Sequence, residues 1–129
     1  FTDAAMCNSK RTRIVRVAFW LAAVFAFVMA VLPHPPQIPG APSDKVQHIA
    51  AFLVLGCLAS FAFPRTSPVY LAAGLSVFGA MIEVIQMIPS LNRDGDPVDW
   101  LADTAAAGLV LIFLRWSRVG RNRSDTVKN

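Results

Sequence analysis

A chain of 129 residues that is 55% hydrophobic, with a mean hydropathy of +0.51, is too apolar for a soluble single domain. Its formal charge of +4 would suit nucleic acid, but ten of the twelve Lys and Arg residues fall at the two termini or at Arg65. That distribution orients a membrane protein and argues against a phosphate-gripping patch, so no nucleic-acid partner is expected.

The apolar residues form four runs of roughly 15 to 20 residues, close to what crosses ~30 Å of hydrocarbon. A basic leader (1–16) carries Lys10, Arg11, Arg13 and Arg16 directly before the run from Val17 to Leu32. Met29-Ala30-Val31-Leu32 is a poor cleavage site and Pro33 follows at once, so the spacing predicts an uncleaved first helix over about residues 14–32. Trp20 suits an interfacial aromatic belt. Pro33 to Ser43 holds five of the nine prolines and Gly40, which predicts an extended, polyproline-like surface loop; His34 within it receives no role.

Ser43 or Asp44 is a natural N-cap for a second helix over about residues 45–63. Pro64-Arg65-Thr66-Ser67-Pro68 then makes a tight turn that forces an antiparallel pair. The third helix, about 69–88, includes Gly74, Ser76, Gly79 and Ala80, small residues that permit close approach in lipid, and Pro89 stops it. The polar loop Ser90 to Pro97 belongs to the aqueous surface. Asp96 or Asp99 can cap the fourth helix, about 98–116, where Ala102, Ala105, Ala106, Ala107 and Gly108 offer another close-packing face. A basic tail (117–129), disordered at its end, completes the chain. The expected architecture is an all-α bundle of four transmembrane helices over residues 17–116, with both termini cytoplasmic, because the even helix number and the charge bias agree. Cys7 and Cys57 sit at different depths and are not expected to pair.

This topology gathers the polar residues at the outer end. At ~1.5 Å rise per residue, Glu83 lies about 7 Å below Ile88 and Asp103 about 6 Å below Asp99. Asp44 and His48 are i, i+4, Glu83 and Gln86 are i, i+3, and Asp99 and Asp103 are i, i+4, so each pair shares one helix face. Three polar faces in lipid turn toward one another, since exposing them costs several kcal/mol. Asp44 and Asp99 also read as plain N-caps, Lys45 and Arg93 as snorkelling or loop-paired cations, and His48 as a helix-packing residue. Glu83, between Ile82 and Val84, is needed for no cap; it reads as a buried acid paired with His48 or Arg93, a proton-exchanging group, or a ligand for a cation or amine.

Taken in order, Asp44-Lys45-x-x-His48-x-x-x-Phe52, then Glu83-x-x-Gln86, Pro89 and Arg93, then Asp99-x-x-Ala102-Asp103-Thr104 resembles the VanZ-like family of small bacterial membrane proteins, over roughly residues 43 to 110. Phe52 stands where that family often has Tyr, Asp103 where it has Asn, and Ala106 where it has a small Gly. The resemblance implies a multi-pass protein of the bacterial inner membrane, in a family whose name-giving member is associated with low-level teicoplanin resistance. It implies a site formed by Asp44, Lys45, His48, Glu83, Gln86, Arg93, Asp99 and Asp103, with Arg93 suited to a phosphate or carboxylate, for a cell-envelope lipid or peptidoglycan-linked ligand. Membrane lipids are the expected partners, and no cofactor or metal is expected. Two alternatives stand beside it. One is a non-catalytic accessory subunit of a larger membrane complex, contacting its neighbour through Phe19, Phe25 and Phe27. The other is a membrane-embedded enzyme using the acids and His48 for acid/base chemistry or a hard divalent cation.

Overall fold

The computed structural model describes residues 2–33, 39–40 and 43–127. These form α1 (Thr2–Val31), α2 (Asp44–Ala62), α3 (Pro68–Gln86), a 3-10 turn (Pro89–Leu91) and α4 (Pro97–Val127), with no strand among the described residues. All four helices are long and apolar enough to cross a membrane. Between 17% and 33% of each apolar window is buried, so most of each span faces outward. The outward side chains are Leu21, Val24, Phe25, Val54, Val77, Leu109, Ile112 and Phe113, residues that suit acyl chains rather than water. Length, composition and the outward apolar faces together suit a multi-pass membrane bundle.

Local signals set the helix starts. Ser43, not Asp44, caps α2, its hydroxyl accepting from the Val46 N–H at 3.4 Å. Pro68 occupies the first turn of α3. Asp96 caps α4, its Oδ1 accepting from the Val98 N–H at 2.9 Å, with Pro97 as the first helical residue. Two helices run further than the apolar runs suggest. α1 begins at Thr2 and α4 continues to Val127, so the basic leader and the tail through residue 127 are helical, where helices over about 14–32 and 98–116 were expected; the tail's last two residues lie outside the described ones. Hydrocarbon thickness limits the apolar run, whereas helix propensity does not stop at the headgroups; neither extension contains proline. At 1.5 Å per residue each helix measures ~45 Å against ~30 Å of hydrocarbon, and the overhang carries the arginines. The expected path of the proline-rich loop, His34 included, lies outside the described residues but for Pro33, Pro39, Gly40 and Ser43.

α2 packs most extensively on α4, then on α1, while α4 also packs along α3. The core holds Phe52, Leu55 and Ala59 of α2, Leu75 and Ile82 of α3, Ala107 and Leu111 of α4, and Phe19 and Ala23 of α1. Phe19 is thus a core residue, not a docking surface; it meets the Phe63 ring edge-on at 5.5 Å. Phe27 is half-buried against Phe78, which leaves Phe25 as the exposed member of that expected face. Both cysteines are free.

Two arginines close the end of the bundle that holds both helical overhangs. Arg16 of α1 donates through Nε to the Ala62 carbonyl at 2.8 Å and lies over the Phe63 ring. Arg118 of α4 donates through both Nη atoms to the Ser60 carbonyl at 3.2 Å and lies over the Phe61 ring. The last carbonyls of α2 have no partner within their own helix and carry the negative end of its dipole, so both contacts are favourable. These pairings set helix direction: α1 and α4 approach the α2 C-terminus from opposite chain ends. The N-termini of α2 and α4 therefore share the other end with the C-termini of α1 and α3.

Close approach is local. A Cβ on Gly56 would lie 2.5 Å from Val110 Cγ1 and 3.4 Å from the Ala107 carbonyl oxygen, marking Gly56 as the α2–α4 crossing. Gly79 is less tightly placed, its Cβ position 3.2 Å from Phe52 and 3.3 Å from Trp100, whereas Gly74 and Gly108 meet nothing within 4 Å. The small-residue stripes thus contribute at Gly79, Ala106 and Ala107, and not at Gly74 or Gly108. We expect Gly56→Leu to cost about 1–3 kcal/mol of stability by overpacking and to lower the unfolding temperature in mild detergent, with Gly74→Leu unchanged; equal effects would remove Gly56 from the crossing.

Candidate functional site

The shared end of α2, α3 and α4 carries the polar residues singled out in the sequence. One turn into α2, His48 turns toward α3 and α4. Its Nδ1 lies 3.5 Å from Asp103 Oδ2 and 3.9 Å from Glu83 Oε1. Glu83, Gln86 and Asp103 are all buried. These are contacts between facing groups at more than hydrogen-bond length: both His48 ring nitrogens and Asp103 Oδ1 are buried without a hydrogen-bond partner among the described residues.

Glu83 is held by its other oxygen. Oε2 accepts the Asp96 backbone N–H at 2.8 Å, fastening the end of α3 to the loop that caps α4. The loop fits because residue 95 is glycine: a Cβ there would lie 2.8 Å from the Glu83 carbonyl oxygen. Just before it, Asn92 takes a left-handed conformation, φ 49°, which asparagine tolerates.

The rim is a set of ion pairs. Lys45 Nζ reaches Asp99 Oδ1 at 3.0 Å and Asp96 Oδ2 at 3.9 Å. Arg93 Nη2 lies 3.5 Å from Asp44 Oδ2, with the arginine side chain 6% exposed and the aspartate 62%. Arg93 Nε is buried with no partner among the described residues. Arg93 therefore pairs with Asp44 and not with Glu83. This end collects Asp44, Glu83, Asp94, Asp96, Asp99 and Asp103 against Lys45 and Arg93, whereas the other described charges are basic apart from Asp3 and Asp125. The two ends of the bundle carry opposite charge.

Of the eight residues expected at the site, Gln86 is turned aside. Its Nε2 donates to the Ala30 carbonyl at 2.9 Å, bracketing α3 to the end of α1, where the carbonyl lacks an intrahelical partner. Two contributors were not in the expected set. Asp96 caps α4, donates to Glu83 and pairs with Lys45; the Asp-Pro step before an apolar run was its signal. Trp100 donates its indole N–H to the Ser76 carbonyl at 3.0 Å and to its hydroxyl oxygen at 3.2 Å, and the Thr104 hydroxyl bonds Ser76 Oγ at 3.1 Å. An indole N–H in an apolar run needs such a partner, but nothing in the sequence says which helix supplies it.

Compared with family models, with curated proteins and with solved structures, the chain matches none. The chemistry of the site is therefore read from its geometry: a His between two buried carboxylates, and a buried guanidinium whose ionic partner among the described residues is an exposed acid.

We expect Glu83→Ala to lower stability by about 1–3 kcal/mol, because the Asp96 N–H loses its acceptor. Glu83→Gln keeps an acceptor oxygen and should lie much closer to wild type. Thermal unfolding in detergent separates the two; equal losses would mean that the carboxylate, not the anchor, carries the effect.

Proposed function

We propose that the chain is a VanZ-like protein of the bacterial inner membrane, with both termini cytoplasmic. On this reading its outer-leaflet polar site holds the anionic head of a cell-envelope lipid or peptidoglycan-linked ligand. The observation that carries this reading is Arg93. A guanidinium that is 6% exposed and pairs through Nη2 with an acid that is 62% exposed, while its Nε lacks a partner among the described residues, is half of a bidentate anion site. Asp44 acts as a placeholder. It can swing into water at small cost, and a phosphate or carboxylate taking its place satisfies Nε and Nη2 together. Lys45 stands on the same turn of α2 beside it. The basic overhangs at the opposite end support the orientation.

Orientation is tested with the native thiols. Cys7 is free and exposed, and Cys57 half-buried within its span. In intact spheroplasts a membrane-impermeant maleimide should leave Cys7 unmodified until the membrane is broken, and should modify a Cys placed at Asn92. Labelling of Cys7 in intact cells would invert the topology and end the outer-leaflet reading.

Binding is tested on the full chain in mild detergent with a polyprenyl phosphate as probe, by native mass spectrometry. Wild type should retain the lipid, and Arg93→Ala and Arg93→Lys should each weaken retention at least tenfold, since lysine cannot make the side-on pair. Arg65→Ala, in the turn at the other end, should have no effect. Equal retention by the Arg93 variants would sink the proposal, and a stoichiometric membrane partner in place of lipid would make the chain an accessory subunit.

A further inference from the structure

We propose that His48, Glu83 and Asp103 form a binding site for one divalent transition-metal ion, of the zinc or manganese kind. The site is distinct from the anion position at Arg93, and it stands whether or not a lipid binds there.

Convergence is the first reason. The three residues come from three different helices, and one ligand atom from each lies within 4.8 Å of the others. The facing distances are 3.5 Å from His48 Nδ1 to Asp103 Oδ2 and 3.9 Å to Glu83 Oε1. Three ligands each about 2.1 Å from a common ion stand about 3.0 to 3.4 Å apart in octahedral or tetrahedral arrangement. Closing onto an ion therefore takes shifts of under about 1 Å, within the reach of side-chain rotation.

Unmet bonding capacity is the second. Neither ring nitrogen of His48 has a hydrogen-bond partner among the described residues, nor does Asp103 Oδ1, although the Asp103 side chain is 2% exposed. Buried polar atoms are ordinarily satisfied, and a shared cation would engage all three residues at once. Glu83 is already oriented for it, since the Asp96 N–H holds Oε2 and leaves Oε1 facing His48, the kind of outer contact that aims a metal ligand.

Charge is the third. Two buried carboxylates beside an imidazole need positive charge close by, and the neighbouring cations are engaged at the rim, Lys45 with Asp99 and Asp96 and Arg93 with Asp44. A doubly charged ion balances two carboxylates. One imidazole nitrogen with two carboxylate oxygens suits zinc or manganese better than magnesium or calcium, which favour all-oxygen shells. Three protein ligands also leave a coordination position open for water or a ligand oxygen.

The test uses the full chain in detergent, stripped with a chelator and equilibrated by dialysis against ZnCl2 or MnCl2, with bound metal counted by mass spectrometry and stability followed by thermal unfolding. Wild type should hold about one ion per chain and unfold at a higher temperature with metal. Asp103→Asn, Glu83→Gln and His48→Ala should each weaken binding at least tenfold and abolish the metal-dependent shift. The first two preserve side-chain volume, and elution as a monodisperse peak confirms that they fold. Asp125→Asn, exposed at the opposite end of the bundle, should bind as wild type does. The proposal is overturned if wild type takes up no stoichiometric ion, if the ion survives all three substitutions, or if calcium and magnesium at equal concentration bind as well.

Discussion

Everything at the polar end of this bundle follows from the cost of leaving a charge in hydrocarbon. Glu83 and Asp103 sit in apolar helices, and neither can face acyl chains without a loss of several kcal/mol. Each must therefore point inward, which fixes the rotation of α3 and α4 about their axes and brings His48 of α2 to the same point. Once those rotations are set, the helix surfaces in contact are decided: Phe52, Leu55 and Ala59 of α2 against Ala107 and Leu111 of α4, with Ile82 of α3 beside them. Lipid gives little reward for apolar burial, so the polar contacts and the close crossing at Gly56 carry much of the specificity of this arrangement.

The opposite end solves a related problem with cations. The last carbonyls of α2 have no helical partner, and Arg16 and Arg118 supply donors from two helices that approach from either side. These residues belong to the basic flanks of α1 and α4, so the charges gathered at that end also fasten the bundle there. Between the salt bridges at the rim and the arginine caps at the base, packing is joined by the hydrogen bonds of Trp100 and Thr104 to Ser76.

The elements were legible in the sequence because proline, serine and aspartate mark their ends and hydropathy marks their length. The cluster was legible because i, i+4 spacing places Asp44 with His48 and Asp99 with Asp103 whatever the packing. What spacing could not give is which neighbour each face meets. Gln86 shares a broad face with Glu83, yet its rotation carries it to Ala30 of α1. Arg93 meets Asp44, while Glu83 turns one oxygen to the Asp96 N–H and the other toward His48. Among glycines of similar context, Gly56 and not Gly74 lies at a crossing, a fact of helix position that composition does not encode. The true lengths of α1 and α4 were hidden because hydropathy marks only the apolar part of a helix, and both helices continue past it.

The bond from Trp100 to Ser76 gives the molecule a native optical label. The chain has three tryptophans, of which Trp20 and Trp116 are 60% and 76% exposed and look outward from the bundle. Trp100 instead lies half-buried, its indole bonded across the α3–α4 seam, and stands one helical turn before Asp103. Its emission is thereby tied to the separation of those two helices beside the buried acids. Any movement that opens the seam changes the polarity around that one ring while leaving the two outward rings in the same surroundings.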